Sequence, residues 1–458
     1  MLSLFRHRFE RRVPPSLRPY SLRVNVGRGY LAAAVVFFVF YACLAYSYNV
    51  YLYPLYSYMG ARELEIGMAN IVLWAVFAFA APFFCGMRLQ RPGDFLLAIL
   101  YVAVVPSAIV LNGANRYAAD SLPLGFMGGV DTGVGLGILI VSLANLVVIR
   151  RPEDLHKSGA GRLPGWLLGA NLLAVALILV KTWSYFSFDF GGQYTRRSLA
   201  RDVFASGSFL AYYCSIFTQG LFPVFLGYGI YLRKHAYTLA GLLSVLVLWG
   251  GTGQKYPFFV LVLVVGLMLW YRGLGYVHIL LLPLAGIFVI FAGIVEDQLF
   301  DYSYINDYLL RRIYAVASTL LGAAQLYVSD HGMGYYKDTL LGALVMGKRS
   351  ESLTFSVGAT IFRRPDINAN VDFLALAWMQ GGLAAAAAEA LAVSVIVIIL
   401  NRIYQQYRDV MAVCIAVLLA SKIVEQSLLT ALVSSGTFLM IVALHLMTRQ
   451  RSGPRSHG

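Results

Sequence analysis

The residues most suited to chemistry in this 458-residue chain are paired cations. Arg196, Arg197 and Arg201 fall in one polar stretch and Arg311, Arg312, Arg363 and Arg364 in another, while Lys255 closes the tight turn Gly251-Thr252-Gly253-Gln254-Lys255. Adjacent guanidinium groups suit a pyrophosphate, because the planar fork binds phosphate oxygens in pairs whereas an ammonium acts as a point charge. A hydroxyl that attacks near such a group also needs a proton acceptor close by. The same stretches supply Asp202, Glu296, Asp297, Asp301, Asp307, Asp330, His331, Asp338, Asp366 and Asp372, and the sequence does not choose among them. The seven histidines are scattered without metal-ligand spacing, and no Asp-x-Asp motif stands on the opposite face of the chain. That argues against a nucleotide-sugar enzyme, and no metal site is expected.

The elements that must position these cations are membrane helices. Hydrophobic residues make up 59% of the chain and charged residues 13%, against about 25% in soluble domains. Apolar runs long enough to span a bilayer occupy 30–49, 66–86, 95–111, 124–149, 164–181, 208–231, 236–251, 256–271, 276–294, 373–400, 410–428 and 431–447. The expected fold class is therefore all-α, a polytopic protein of about twelve transmembrane helices. Alternating strands of the barrel kind are absent from the pattern. Cys43, Cys85, Cys214 and Cys414 all fall inside apolar runs, so no disulfide framework is implied.

The net charge of +14 takes its meaning from where the cations sit. With the N-terminus inside, the short cytoplasmic segments collect Arg88 and Arg91, Arg150 and Arg151, Arg233 and Lys234, and Arg402 and Arg408. The leader adds Arg6 through Arg28, as the positive-inside rule requires. Both termini are thus expected in the cytoplasm, the basic leader at anionic membrane lipid, and nucleic acid is not a partner. The first span lacks a small-residue cleavage site and reads as a signal anchor. The expected organisation is a leader at 1–29, helices 1–9 over 30–294 with an external loop at 182–207, a large external loop at 295–372, helices 10–12 over 373–447, and a tail at 448–458. Glu296 to Arg312 has the spacing of an amphipathic helix at the membrane surface. Within the spans, Asp131, Glu389, Lys422 and Glu425 are costly, and Lys422 and Glu425 stand one helical turn apart. A flippase or secondary transporter competes with an enzyme here. The nine-plus-three division of spans and the 295–372 loop count against it, because transporters are built from matched halves around a midplane site.

Several segments carry a family resemblance. Arg311-Arg312-Ile313-Tyr314-Ala315-Val316, Gly334-Tyr335-Tyr336, and Asn368-Ala369-Asn370 leading into Phe373 and Gln380-Gly381-Gly382 resemble the large periplasmic loop and following helix of Wzy-type oligosaccharide repeat-unit polymerases, the O-antigen polymerases. The Thr252-Gly253-Gln254-Lys255 turn is similar to the Thr-Gly-x-Arg/Lys turn of the wider O-antigen polymerase and ligase superfamily, with lysine where arginine is commoner. Arg196 to Gly207 and Arg311 to Gly322 place one Arg-x10-Gly match in each long external loop. The likeness spans about residues 236–400.

It implies a GT-C-like glycosyltransferase of the bacterial inner membrane, with a periplasmic active site and neither metal nor cofactor. The donor would be a glycan on undecaprenyl pyrophosphate and the acceptor a lipid-linked repeat unit, as in lipopolysaccharide biosynthesis, with a chain-length regulator as partner. Arg311 and Arg312 would lead the pyrophosphate contacts, joined by Arg196, Arg197 and Lys255. Tyr314, Asn368 and Asn370 would orient sugar hydroxyls, and the catalytic base would be His331, Asp301 or Asp366. An O-antigen ligase is the nearest rival within the superfamily.

Overall fold

A computed structural model of the chain describes residues 20–22, 29–57, 60–112, 114, 129–149, 163, 165–189, 191–204, 208–339, 342, 351–365, 367–407 and 410–449. A short strand β1 (Tyr20–Leu22) precedes α1 (Tyr30–Ser47), α2 (Met68–Cys85), β2 (Arg88–Leu89), α3 (Pro92–Val105), α4 (Val130–Leu146) and β3 (Val147–Ile149). The middle of the chain forms α5 (Gly165–Thr182), α6 (Gln193–Val203), α7 (Phe209–Cys214), α8 (Phe222–Leu232), α9 (His235–Thr252), α10 (Tyr256–Leu274), β4 (Val277–His278) and α11 (Leu281–Phe300). The last third holds α12 (Val316–His331), α13 (Leu353–Ile361), α14 (Phe373–Tyr407), α15 (Val410–Ile423) and α16 (Thr437–Arg449).

Among the described residues, nine helical stretches are long and apolar enough to cross a membrane, so this is a mostly helical, multi-pass membrane protein. The spans read at 124–149, 410–428 and 431–447 fall on α4, α15 and α16, which are shorter, with 17, 14 and 13 residues. α3 is the central helix, with 83% of its apolar window buried, whereas α11 is peripheral at 17%.

The two ends of the bundle differ. One end has tight connections clipped by two antiparallel strand pairs, β1 with β3 (Tyr20 opposite Ile149) and β2 with β4 (Arg88 opposite His278). The other end carries the long loops. Five π-helical stretches occur among the described residues, at Tyr48–Leu52, Pro106–Val110, Ser215–Gly220, Asn306–Ala315 and Thr430–Ser434. Such widened turns recur at functional sites, because they re-aim side chains and loosen the regular backbone ladder.

At the hairpin end a buried polar knot ties three helices together. The Arg91 guanidinium pairs with Asp94 at 2.9 Å and donates to the Asn145 carbonyl, the Asn145 amide donates to Asp94, and the Asn401 amide donates to Asn145. The Gly93 N–H donates to Asn401. A side chain at Gly93 would place its Cβ 2.2 Å from the Asn145 amide oxygen, so only glycine allows this approach.

The structure corrects two expectations. The run from Glu296 to Arg312 is not one amphipathic helix. α11 continues to Phe300, beyond the boundary read at 294, with Leu299 and Phe300 exposed at 70% and 73% on its apolar surface. The chain then breaks at Asp301, in the left-handed region at φ 55°, before the π-helix Asn306–Ala315.

Nor is the span read at 373–400 one straight crossing. α14 is interrupted at Gly381 and Gly382, whose φ/ψ pairs are −162°/31° and 64°/−152°. Before the break, Trp378 packs on Gly133 and Leu374 on Gly137, so Phe373–Gln380 runs antiparallel to α4. After it, the helix descends beside α4 to the Asn401–Asn145 contact. The first segment is therefore a re-entrant helix, and every residue from Val371 to Gln380 is buried. The segment after α12 seals the break: the Gly334 and Tyr335 N–H groups donate to the Met379 and Gln380 carbonyls at 3.0 and 2.8 Å.

Asp94→Asn strands the Arg91 charge in a site where Arg91 is 6% exposed and Asp94 fully buried. The expected loss is about 3–5 kcal/mol of stability, read as a lowered unfolding midpoint in detergent. The paired replacement Arg91→Met/Asp94→Leu is expected to recover most of it.

Candidate functional site

The site begins with glycines at the loop end of α9. Gly253 adopts φ 63°, and a Cβ there would lie 2.3 Å from the Gln193 carbonyl oxygen. A Cβ at Gly250 would meet the Phe186 ring at 2.3 Å, and one at Gly251 would meet Thr182 Oγ1 at 2.5 Å. Bare backbone at these three positions lets the first long loop lie against the helix end. The Ser187 N–H then donates to the Gly250 carbonyl at 3.1 Å.

Arg196 fixes the next element. Its side chain is buried over the Trp249 ring at 5.7 Å and donates to the Asp189 carbonyl at 2.5 Å. The Asp189 carboxylate accepts the Gly191 and Gly192 N–H groups, which hold it below the usual carboxylate range. So anchored, α6 turns Arg197 and Arg201 into a cavity of about 490 Å³. Thr252 and Gln254 of the glycine turn, Ser215, Thr218 and Gln219 of the π-helix after α7, and Asn368 complete its polar lining. Gln219 donates to Gln254 at 2.9 Å. Ile178, Leu248 and Phe355 are among the apolar residues that close it.

The electrostatics are strongly positive. Desolvation, followed by the neighbouring Arg201 and Arg312, pushes the Arg197 guanidinium below its ordinary value, and Tyr194 and Glu425 oppose the shift. It stays charged, as arginine does in proteins. Lys255 stands 4.8 Å from the Tyr308 ring and 5.9 Å from that of Tyr194. Lys422 is buried with its ammonium 3.7 Å from the Tyr256 ring, and Glu425 lies within electrostatic reach of it.

The structure thus brings Arg197, Arg312, Lys255 and Asn368 into one region and leads the other sequence candidates elsewhere. Arg196 is a buried strut. Arg311 is bound to Asp307 at 2.9 Å and lies over the Tyr56 ring, while Tyr56 and Tyr302 donate to the same carboxylate. Tyr314 is buried against Phe40. Asn370 is exposed and donates its N–H to the Asn368 carbonyl. His331, at the end of α12, is exposed and stacked on Tyr327 at 4.6 Å, and Asp301 is exposed at the end of α11. Neither lines the cavity, and Asp366 lies outside the described residues. Among the described residues no group of three His, Cys, Asp or Glu is arranged to hold a metal ion.

Two groups at the site have no motif to announce them. Gln219 sits in an apolar run, and its π-helical register is what exposes it. Glu425 reads as an intramembrane partner of Lys422, yet it is exposed just past the end of α15. Its spacing from Lys422 was the available signal. Asp372 caps the re-entrant helix by accepting the Leu374 and Ala375 N–H groups.

No protein-family model matches the chain, and no curated protein or solved structure matches it.

Gly253→Ala forces a Cβ into the Gln193 backbone and imposes the left-handed penalty of about 1–2 kcal/mol. The first long loop is expected to lift from α9. Limited proteolysis between residues 183 and 208 should then run at least about tenfold faster than in the native chain, by the same free-energy conversion.

Proposed function

We propose that the protein is an inner-membrane glycosyltransferase that polymerises undecaprenyl-pyrophosphate-linked oligosaccharide repeat units on the periplasmic side, as the resemblance to Wzy-type polymerases suggests. In this reading the twelve spans form a GT-C-like bundle, both termini are cytoplasmic, and the loop end faces the periplasm. The observation that carries it is the cavity lined by Arg197 and Arg201, with Arg312 within electrostatic reach, at the end of the bundle where the membrane helices stop.

The reaction asks for that arrangement. The acceptor's sugar hydroxyl oxygen bonds to the donor's anomeric carbon, the bond from that carbon to the lipid pyrophosphate breaks, and the electron pair leaves with the pyrophosphate. Fixed guanidinium groups stabilise the charge that develops there. Arg197, Arg201 and Arg312 take this role, with Lys255 beside them; Arg311 and Arg196 hold the elements that carry them. The proton passes to Glu425, the carboxylate within electrostatic reach of Arg197 among the described residues. Asn368 and Gln254 supply hydrogen bonds to sugar or phosphate oxygens.

One observation favours a transporter instead, since discontinuous helices carry substrate sites in secondary transporters and α14 is discontinuous. The break is filled, however, by the protein's own Gly334 and Tyr335 backbone, and the cations lie elsewhere.

Purified protein in nanodiscs, given lipid-linked repeat units without nucleotide or added metal, is expected to build a product ladder. Arg197→Ala and Arg201→Ala are each expected to slow it about 100- to 1,000-fold, the usual cost of removing one electrostatic stabiliser. An undiminished ladder in both variants contradicts the assignment, and transfer only on adding lipid A core makes the enzyme a ligase.

A further inference from the structure

Three tyrosines gathered around Lys255 of the glycine turn are strongly exposed. Tyr194 on α6 is 69% exposed, and Tyr304 and Tyr308 at the start of the 306–315 π-helix are 63% and 50% exposed. Tyr304 and Tyr308 lie nearly parallel, with ring planes 13° apart and centroids separated by 6.1 Å. Tyr302 props the pair edge-on at 4.9 Å from Tyr304, and its hydroxyl is fixed to Asp307 at 2.9 Å. The ring pair therefore stands on a braced base. Both rings are open to solvent over more than a third of their surface.

The placement of these rings ties them to the cations. Tyr194 precedes Arg197 by one helical turn on α6, and Tyr308 precedes Arg312 by one turn on the facing element. Lys255 stands between the two rings, within cation–π distance of each. Each element thus carries a tyrosine and an arginine one turn apart, with Lys255 between the two tyrosines. Aromatic residues also collect at membrane interfaces as a belt, but a belt follows the lipid perimeter. These rings instead flank Lys255 of the glycine turn.

We propose that Tyr194, Tyr304 and Tyr308 form a saccharide platform that holds the glycan of a lipid-pyrophosphate substrate while the arginines hold its pyrophosphate. The proposal rests on the lipid-pyrophosphate reading above and names where the sugars go. The axial C–H groups of a pyranose carry partial positive charge and lie flat on the negative face of an aromatic ring. The tyrosine hydroxyls bond to ring substituents, and the Lys255 ammonium, between Tyr194 and Tyr308, meets sugar hydroxyls at the edge. Substrate is therefore gripped at two places of different chemistry, so each can be removed without removing the other.

The test uses the full chain in nanodiscs and two probes, undecaprenyl pyrophosphate alone and the same lipid carrying a short N-acetylglucosamine oligosaccharide. Affinities are measured by microscale thermophoresis. The native chain is expected to bind the glycan-bearing lipid at least about tenfold more tightly than the bare one, the size expected of two or three ring contacts. In Tyr304→Ala/Tyr308→Ala that gain is expected to disappear while affinity for the bare lipid stays within about twofold; Tyr304→Phe/Tyr308→Phe is expected to keep most of it, because the faces remain. An equal gain in the alanine variant, or no gain in the native chain that binds bare lipid, overturns the platform alone. Failure of the native chain to bind either lipid overturns the lipid-pyrophosphate reading and the platform with it.

Discussion

A side chain at residue 250, 251 or 253 would collide with Phe186, Thr182 or the Gln193 carbonyl, and this steric constraint sets the geometry of the whole loop end. Because all three positions are glycine, the first long loop can press its backbone onto the end of α9. Arg196 then drops over Trp249 and locks α6 in place. The orientation of α6 decides where Arg197 and Arg201 face, and so the cavity and its charge follow from three missing Cβ atoms. The opposite end of the bundle relies on a similar device, where Gly93 admits Asn145 and Asn401 to the Arg91–Asp94 pair.

Bringing Arg197, Arg201 and Arg312 together is costly in itself. Like charges in a partly desolvated site repel, and burial together with these neighbours lowers the Arg197 value. The protein offsets little of this with carboxylates, since Asp307 is committed to Arg311 and Asp189 to backbone N–H groups. Glu425 is left as the opposing charge within reach. An arrangement of this kind stores positive potential, which a multivalent anion relieves on binding. Lysine at 255 fits the same economy of space, because a compact ammonium on a flexible stem can stand between two rings.

The sequence made the membrane helices legible because hydropathy counts apolar residues along the chain, and the nine spanning helices among the described residues fall on nine of the twelve runs read from it. It also placed cations in the two long loops. It could not show direction. Phe373–Gln380 is apolar because it is buried on every side, and a buried re-entrant helix has the same composition as the start of a crossing. The pair Gly381–Gly382 marks the reversal only once Trp378 is seen on Gly133 and Leu374 on Gly137. Adjacent arginines behave in the same way. Arg311 and Arg312 look equivalent in sequence, but the helix points one at Asp307 and the other toward Arg197. Tyr314 lies in a motif-like segment yet packs against Phe40. Glu425 reads as an intramembrane residue in the sequence because the end of α15 falls at Ile423, earlier than hydropathy alone suggests.

The central claim is that Arg197 and Arg201 hold the pyrophosphate of a lipid-linked substrate in the cavity between α6, α9 and the π-helix after α7. A cryo-EM map of the protein in nanodiscs with undecaprenyl pyrophosphate tests it most directly. The account expects density for both phosphates within hydrogen-bonding distance of the Arg197 and Arg201 guanidinium groups. A pyrophosphate resolved elsewhere, with this cavity holding only water, would contradict it.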